Sequence, residues 1–196
     1  MRGLFIAVEG IDGSGTTTFI KNVAQFLRNN NFNVHVTTEP SSHTVGRYIR
    51  ERLGSGKGDN TILGLLFAAD RVIHFREEIN PLLEKGYIVI SDRYILSSLA
   101  YQGVDEELSW LEQINSRAQN PDLTIFIEVD ELEGEKRISK RGSKRDVTEK
   151  LDFQKKVVQN YNILKNQMDV ILDGFLSPEK LSELGVIEIL KKIRST

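Results

Sequence analysis

Leu4-Phe5-Ile6-Ala7-Val8, followed after Glu9 by Gly10-Ile11-Asp12-Gly13-Ser14-Gly15-Thr16-Thr17, is the stretch whose reading decides the fold. The apolar run is continuous and rich in β-branched and aromatic residues, the composition of a strand buried on both faces. The glycines let backbone N–H groups turn inward around an anion. Behind them Phe19-Ile20, Val23-Ala24 and Phe26-Leu27 recur at helical spacing, so the positive end of a helix dipole faces the same point. This strand–loop–helix layout matches the phosphate-binding pattern G-x-x-x-x-G-K-[ST], with one departure: Thr16 stands at the lysine position. Thr17 supplies the hydroxyl that the pattern needs for Mg²⁺. The expected ligand is a nucleotide phosphate, and the absent lysine raises the question of how a transferring phosphate is neutralised.

Composition sets the outer limits. The 196 residues suffice for one sizeable core, and one domain spanning 1–196 is expected. With 39% hydrophobic and 28% charged residues, the chain reads as a soluble globular protein. A formal net charge of −2 gives no reason to expect a nucleic-acid or membrane-surface partner. The chain has 0 cysteines, which excludes a disulfide framework, a thiolate metal site and a thiol nucleophile. The short apolar run after Met1-Arg2-Gly3 is too short for a signal sequence or a membrane span, so the cytoplasm is the expected location.

Further along, short apolar runs alternate with longer amphipathic ones. Strands are expected at Leu4–Val8, Val34–Thr38, Tyr87–Ile90, Leu123–Val129 and Val170–Leu172, and helices over 15–29, 60–84, 94–118, 131–141, 146–167 and 178–194. Strands separated by helices imply βαβ crossovers, hence an α/β fold with a parallel sheet and helices on both faces. Such sheets bind ligands beyond the C-terminal ends of their strands. Gly54-Ser55-Gly56-Lys57-Gly58-Asp59-Asn60 imitates a second phosphate loop, but no strand precedes it and Gly58 stands where Ser or Thr is required. It reads as a flexible loop between helices. His35, His43 and His74 lack metal-ligand spacing and read as structural or solvated.

Several constellations fall at the expected ligand edge. Asp92-Arg93 ends the third strand run; a carboxylate there holds Mg²⁺ directly or through water, and the arginine fork grips a phosphate. The same pair could equally cap the next helix. Glu39-Pro40 leaves the second strand, where a functional carboxylate and a plain turn are equally compatible with the residues. Phe67 and Arg71 are four apart on a helical pattern, hence on one face. That pair suits base stacking and edge recognition, but also a core ring beside a snorkelling arginine. Lys136, Arg137, Lys140, Arg141, Lys144 and Arg145 crowd around Gly142, as a solvated face, a nucleic-acid patch or a basic lid over 136–146 that supplies the charge Thr16 lacks.

Taken together, the chain resembles the thymidylate kinase family of P-loop kinases. The resemblance rests on Glu9-Gly10-Ile11-Asp12-Gly13-Ser14-Gly15, Thr38-Glu39-Pro40 and Leu65-Leu66-Phe67-Ala68-Ala69-Asp70-Arg71. It continues through Val89-Ile90-Ser91-Asp92-Arg93-Tyr94, Ser97-Ser98-Leu99-Ala100-Tyr101-Gln102-Gly103, Pro121-Asp122-Leu123-Thr124 and the Lys136–Arg145 segment. It implies a P-loop kinase fold with a five-stranded parallel sheet, phosphorylation of dTMP by ATP with Mg²⁺, and a homodimer. By this resemblance Phe67 stacks on thymine, Arg71 and Ser98 meet its polar edge with Gln102 nearby, and Tyr101 closes against the sugar in favour of deoxyribose. Asp12 meets the 3′-hydroxyl, and Arg50 and Arg93, with Glu39 nearby, surround the dTMP phosphate. Gly10, Ile11, Asp12, Gly13, Ser14, Gly15, Thr16 and Thr17 hold ATP, Mg²⁺ sits near Thr17 and Asp92, and Arg137 lies along the adenine. Arg141 and Arg145, with Asp92 and Arg93, act on the transferring group.

Thr16 departs from the lysine normally found in that loop. Losing one such donor typically costs about 10²–10³ in rate, or roughly 3–4 kcal/mol. Either lid arginines compensate, or the protein is a slow or inactive nucleotide-binding paralogue. A related kinase with another deoxynucleotide or nucleoside acceptor is the remaining alternative.

Overall fold

The computed structural model of the chain describes residues 2–56, 58–140 and 147–195. Five strands, β1 (Phe5–Glu9), β2 (Val34–Thr38), β3 (Ile88–Asp92), β4 (Leu123–Glu128) and β5 (Val170–Asp173), form one all-parallel sheet in the order β2-β3-β1-β4-β5. The chain leaves β1 toward one side, returns as β3 beside it, then crosses to the other side as β4. The loop after β1 therefore sits where the strand order reverses, the place at which such sheets take ligands.

Side-chain alternation along the strands distributes the core. Ile6, Val8, Ile90, Ile125 and Ile127 face one layer, where they meet Phe19, Ile20, Val23 and Leu27 of α1 (Thr16–Asn29) and Leu181, Val186 and Ile189 of α9 (Pro178–Ser195). On the opposite face Phe126 packs with Leu96 and Leu99 of α5 (Ile95–Gln102), Leu111 of α6 (Leu108–Asn115) and Val157 and Tyr161 of α8 (Val147–Ile163). Phe5, Ala7 and Val89 complete that face under Ile79, Leu83 and Tyr94. Both faces of the sheet are thus covered, which is why its strands read as continuous apolar runs rather than alternating ones. By the same alternation Glu9 points to the α5 and α8 side, where it is fully buried.

The elements differ from the sequence expectation in their bounds, and most at the following places. The helix expected over 60–84 is α3 (Asn60–His74), a wider π-type turn at Phe75–Ile79 and a short α4 (Asn80–Glu84). Pro81 has no N–H, so it cannot continue the regular ladder, and the chain widens one turn before it. The expected helix over 94–118 is α5 and α6, divided after Gly103. A helix with no apolar pattern to announce it, α2 (Thr44–Gly54), buries only Gly46 and Ile49. Strands β1 and β3 each run further than expected, through Glu9 and Asp92, because parallel pairing carries the ladder to these polar ends. The loop before α3 ends in a side-chain cap, Asp59 accepting from the Ile62 N–H at 2.9 Å. The seventh helix, α7 (Glu131–Ser139), is capped likewise by Asp130, which accepts from the Glu133 N–H at 2.7 Å.

Candidate active site

Strand register builds the site floor. Val8 and Thr38 both lie opposite Asp92, so the C-terminal ends of β1, β2 and β3 come level and project Glu9, Glu39 and Asp92 to the same edge. The loop from Gly10 to Gly15 turns over this edge. Gly13 and Gly15 have φ of 83° and 102°, the left-handed conformation in which a side chain is strained, and a Cβ on Gly13 would lie 2.3 Å from the Gly134 carbonyl of α7. No side chain caps the start of α1, so its first N–H groups stay free for an anion.

Thr17 and Asp92, which the resemblance places near Mg²⁺, are in contact. Thr17 Oγ1 donates to Asp92 Oδ2 at 2.9 Å, and Asp92 Oδ1 is buried with no hydrogen-bond partner. A hydroxyl and an orphaned carboxylate oxygen form a hard-oxygen donor set that suits a divalent cation completed by phosphates and water. Among the described residues no group of three His, Cys, Asp or Glu could hold a metal ion. Thr16 is buried at the mouth of α1, and the only cation lining the roughly 350 Å³ cavity over this loop, among the described residues, is Arg93.

Arg93 follows β3 with φ of 71°, an uncommon conformation for a side-chain-bearing residue. Its Nη1 donates to the Gly10 carbonyl at 2.9 Å and to Ser97 Oγ at 3.1 Å, and its Nη2 donates to Asp12 Oδ1 at 2.7 Å. The guanidinium also lies over the Tyr101 ring, 5.0 Å from its centroid. Burial works against the Arg93 charge, but the acidic groups of Tyr101, Tyr161, Asp12 and Glu9 hold its pKa well above the ordinary arginine value. Tyr101 in turn accepts from the Asp12 N–H and donates to Asp12 Oδ1, each at 3.0 Å, and burial pushes its phenol up.

Asp12, Glu39 and Arg93 are shared with a second cavity, of about 450 Å³, that extends from the loop toward α3 and α5. Phe67, Arg71, Ser98, Tyr101 and Gln102 line it, so the pattern-derived residues of α3 and α5 converge. Phe67 forms half-buried wall and is not a member of the three core clusters. Arg71 does not snorkel: it is fully buried, 2.7 Å from Glu39 Oε2, and its Nη2 donates to Ser98 Oγ at 2.9 Å and to the Tyr94 carbonyl at 3.1 Å. Glu39 is therefore no mere turn residue. Its other oxygen accepts from Nδ1 of the buried His74 at 3.2 Å, while His74 Nε2 lies 2.8 Å from Thr37 Oγ1. His35 and His43 pair with Glu78, and His43 also with Glu77, so each of the three histidines has a carboxylate partner. Arg71 Nε, the Tyr94 hydroxyl, Gln102 Oε1 and Gln154 Oε1 are buried without partners, and all four residues line this cavity. A buried polar atom left unpaired is costly, so this set calls for a ligand with both donors and acceptors on its rim.

Two arginines stand elsewhere. Arg50 is not on the wall of either cavity; it donates to the Ser41 carbonyl at 2.6 Å and to the Pro40 carbonyl, fixing the loop after β2. Arg137 lies on the outer side of the phosphate loop, where its Nε bonds Glu133 at 2.8 Å, Nη1 the Ser14 carbonyl at 3.2 Å and Nη2 the Gly174 carbonyl at 2.9 Å. It lines a groove of about 290 Å³ with Gly15, Gly174, Leu176 and Pro178. Arg141 and Arg145, and with them most of the basic segment expected to act as a lid, lie outside the described residues. Tyr94 and Ser97 stood inside the motifs that carry the resemblance but without a role, and sequence reasoning singled out neither Asn115, Gln154 nor Tyr161. The last two come from α8, which carries no motif, and no local spacing marks them.

Comparison with known proteins agrees with this geometry. The family model described as "Thymidylate kinase" matches residues 8–183. A protein of Pyrobaculum calidifontis named "Probable thymidylate kinase" is 46% identical over 160 residues, covering 81% of this chain and 80% of its own. Proteins of the same name from Pyrobaculum aerophilum and Pyrococcus abyssi are 41% and 42% identical, each covering 96% or more of this chain and 97% of their own. The match runs through the phosphate loop, the Glu39–Arg71 pair, Asp92-Arg93 and the α5 wall alike, and on that ground the chain belongs to the thymidylate kinase family.

Proposed function

We propose that the protein transfers the γ-phosphoryl group of ATP to dTMP with Mg²⁺. The observation that carries this reading is the pair of cavities joined at Asp12, Glu39 and Arg93: one over a phosphate loop, the other walled by an aromatic ring and rimmed with unpaired donors and acceptors. Phe67 stacks on the base, while Arg71, Ser98 and Gln102 meet its polar edge. Tyr101, held by Asp12, closes on the sugar and leaves no room for a ribose 2′-hydroxyl, and Asp12 reaches the 3′-hydroxyl. Arg93 stands between the two cavities, where the acceptor phosphate meets the donor; Arg50 acts through the loop it holds. Gly10 through Thr17 wrap the ATP phosphates, and Arg137 borders the adenine. No general base is required, because the attacking phosphate oxygen is already anionic at neutral pH; catalysis is positioning plus charge stabilisation. Thr17 and Asp92 would hold the Mg²⁺, which supplies charge neutralisation across the phosphates when bound.

The chain holds 0 cysteines, in keeping with the reducing cytoplasm as its location. Among the described residues no helix is long and apolar enough to cross a membrane. We also propose a homodimer. Ile62 and Leu65 lie exposed on the outer face of α3, and Tyr48 is exposed on α2, which packs against α3. A second copy would cover these side chains. Sedimentation at micromolar concentration should show a dimer, and Leu65→Glu should shift it to monomer; a wild-type chain that sediments as a monomer overturns this.

Asp92→Asn should lower phosphoryl transfer by about a hundredfold or more, since it weakens the hard-oxygen donor set, while melting temperature stays near wild type. Wild-type turnover at saturating Mg²⁺ would remove Asp92 from the metal site.

Phe67→Ala should weaken dTMP binding by about 1–3 kcal/mol, the worth of one base–aromatic stack, and leave ATP binding unchanged. Turnover with dTMP, dUMP, dGMP and thymidine as acceptors is the companion measurement. A strong preference for another acceptor would redirect the assignment within the same kinase class.

Thr16 motivates the second reading, a nucleotide-binding protein with little catalysis. If the loop has simply lost its lysine, Thr16→Lys should raise turnover by ~10-fold or more. We expect instead no gain, with Arg141→Ala and Arg145→Ala each crippling turnover, because the arginines have taken over the neutralising role. Turnover that survives loss of both arginines refutes that compensation.

A further inference from the structure

Glu9 is a carboxylate at the end of β1 with no solvent exposure, and it makes no ion pair among the described residues. Burying such a group works against stability unless its oxygens are hydrogen-bonded. They are. Oε1 accepts from the Tyr94 N–H at 3.0 Å, and Oε2 accepts from the Ser97 hydroxyl at 2.5 Å, with the Tyr161 hydroxyl 3.4 Å away. Burial pushes the Glu9 carboxyl up, against the pull of the Ser97 hydrogen bond and of the Arg93 and Arg71 cations.

Both contacts lead to Arg93. Tyr94 is the next residue in the chain, so its N–H is held just beyond the strained φ of Arg93. Ser97 Oγ is the atom to which Arg93 Nη1 donates at 3.1 Å. A serine has one proton and two acceptor sites. With the proton committed to Glu9, the oxygen can only accept from Arg93, and its remaining site faces the Tyr161 hydroxyl at 2.9 Å. We propose that Glu9 is a positioning residue for phosphoryl transfer: its carboxyl oxygens lock the Ser97 hydroxyl and the Tyr94 amide, and thereby fix the Arg93 guanidinium between the two cavities. This rests on the assignment of Arg93 to the transferring phosphates.

The test uses the full-length protein in a steady-state assay with ATP and dTMP. Sites are counted by binding of a fluorescent ATP analogue, so that a partly unfolded preparation does not read as lost turnover. Glu9→Gln keeps an acceptor for Tyr94 but presents an N–H₂ to Ser97, so the serine proton loses its acceptor at residue 9 and turns to the Tyr161 hydroxyl, which unlocks the serine that Arg93 donates to. Ser97→Ala removes the relay altogether. Each should lower kcat by about 10–100-fold, as loss of an orienting partner behind a working group does, with the KM for ATP unchanged. The double variant Glu9→Gln, Ser97→Ala should be no slower than the slower single variant, because both act through one chain of contacts. Losses that multiply in the double variant overturn the proposal, as does wild-type turnover of Glu9→Gln, which would mean that the group works as a neutral acid. Arg93→Ala separates the two levels. If it is crippled while the Glu9 and Ser97 variants are not, only the positioning role falls; if it turns over like wild type, the site assignment beneath it falls.

Discussion

The Arg93 guanidinium is the joint on which the site depends. It spans from the Gly10 carbonyl and Asp12 of the phosphate loop to Ser97 of α5, and it lies over the Tyr101 ring. Two loops and a helix that meet nowhere else in the sequence are thereby held around one fixed charge. A planar fork that fixes its donors in separate directions can do this, whereas a lysine gathers its three donors on one compact ammonium. The arrangement needs Arg93 in a left-handed conformation, which alone costs of order 1–3 kcal/mol and persists only because the surroundings over-determine it. Strand register is what makes that possible: Asp92 lies level with Val8, so the residue after it emerges directly beside the loop.

A second buried charge pair organises the far end of the site. Arg71 and Glu39 are withdrawn from water together, and desolvation on that scale yields little net stability even when the pair is well formed. What the pair provides is fixed direction. Arg71 is held by Glu39, Ser98, Asn115 and the Tyr94 carbonyl, and stacks 5.2 Å from the Tyr94 ring. His74 orders Glu39 from behind, and the π-type turn at Phe75–Ile79 brings Glu78 within reach of His74, His35 and His43. Hydrogen bonding to His35 and Thr37 outweighs partial burial and holds the Glu78 carboxyl below its ordinary value.

Thr16 fits this picture of distributed charge. A loop lysine places one cation at the β- and γ-phosphates beside the metal ion. Here Arg93 lines the same cavity, and Arg137 braces the loop from outside through the Ser14 and Gly174 carbonyls. The loop is also clamped sterically, since a side chain on Gly13 would strike the Gly134 carbonyl and one on Gly134 would strike the Asp12 carbonyl. The loop's conformation is therefore set by packing and backbone hydrogen bonds and does not need a lysine to hold it.

Much of this was legible in the chain alone, for reasons that are local. Continuous apolar runs alternating with amphipathic ones specify a parallel sheet covered on both faces, and the glycine spacing specifies a phosphate loop wherever its strand lies. Asp92 and Arg93 were readable because a polar pair closing an apolar run must emerge at the sheet edge. Helix α2 was not, because it buries too little to carry a pattern, and the break before Pro81 showed only as a proline within a helical period. The contacts that orient the working groups were beyond any local reading. Glu9 and Ser97 are 88 positions apart, and Glu9 and Tyr161 are 152 apart. The sequence by itself determined the layers, the loop and the residue types at the sheet edge, because periodicity and turn chemistry act over a few neighbours. Only the tertiary structure decided that Arg71 would be buried against Glu39, that Arg50 would brace a loop, and that a carboxylate under the sheet edge would stand behind Arg93, because packing brings together side chains whose separation along the chain carries no signal.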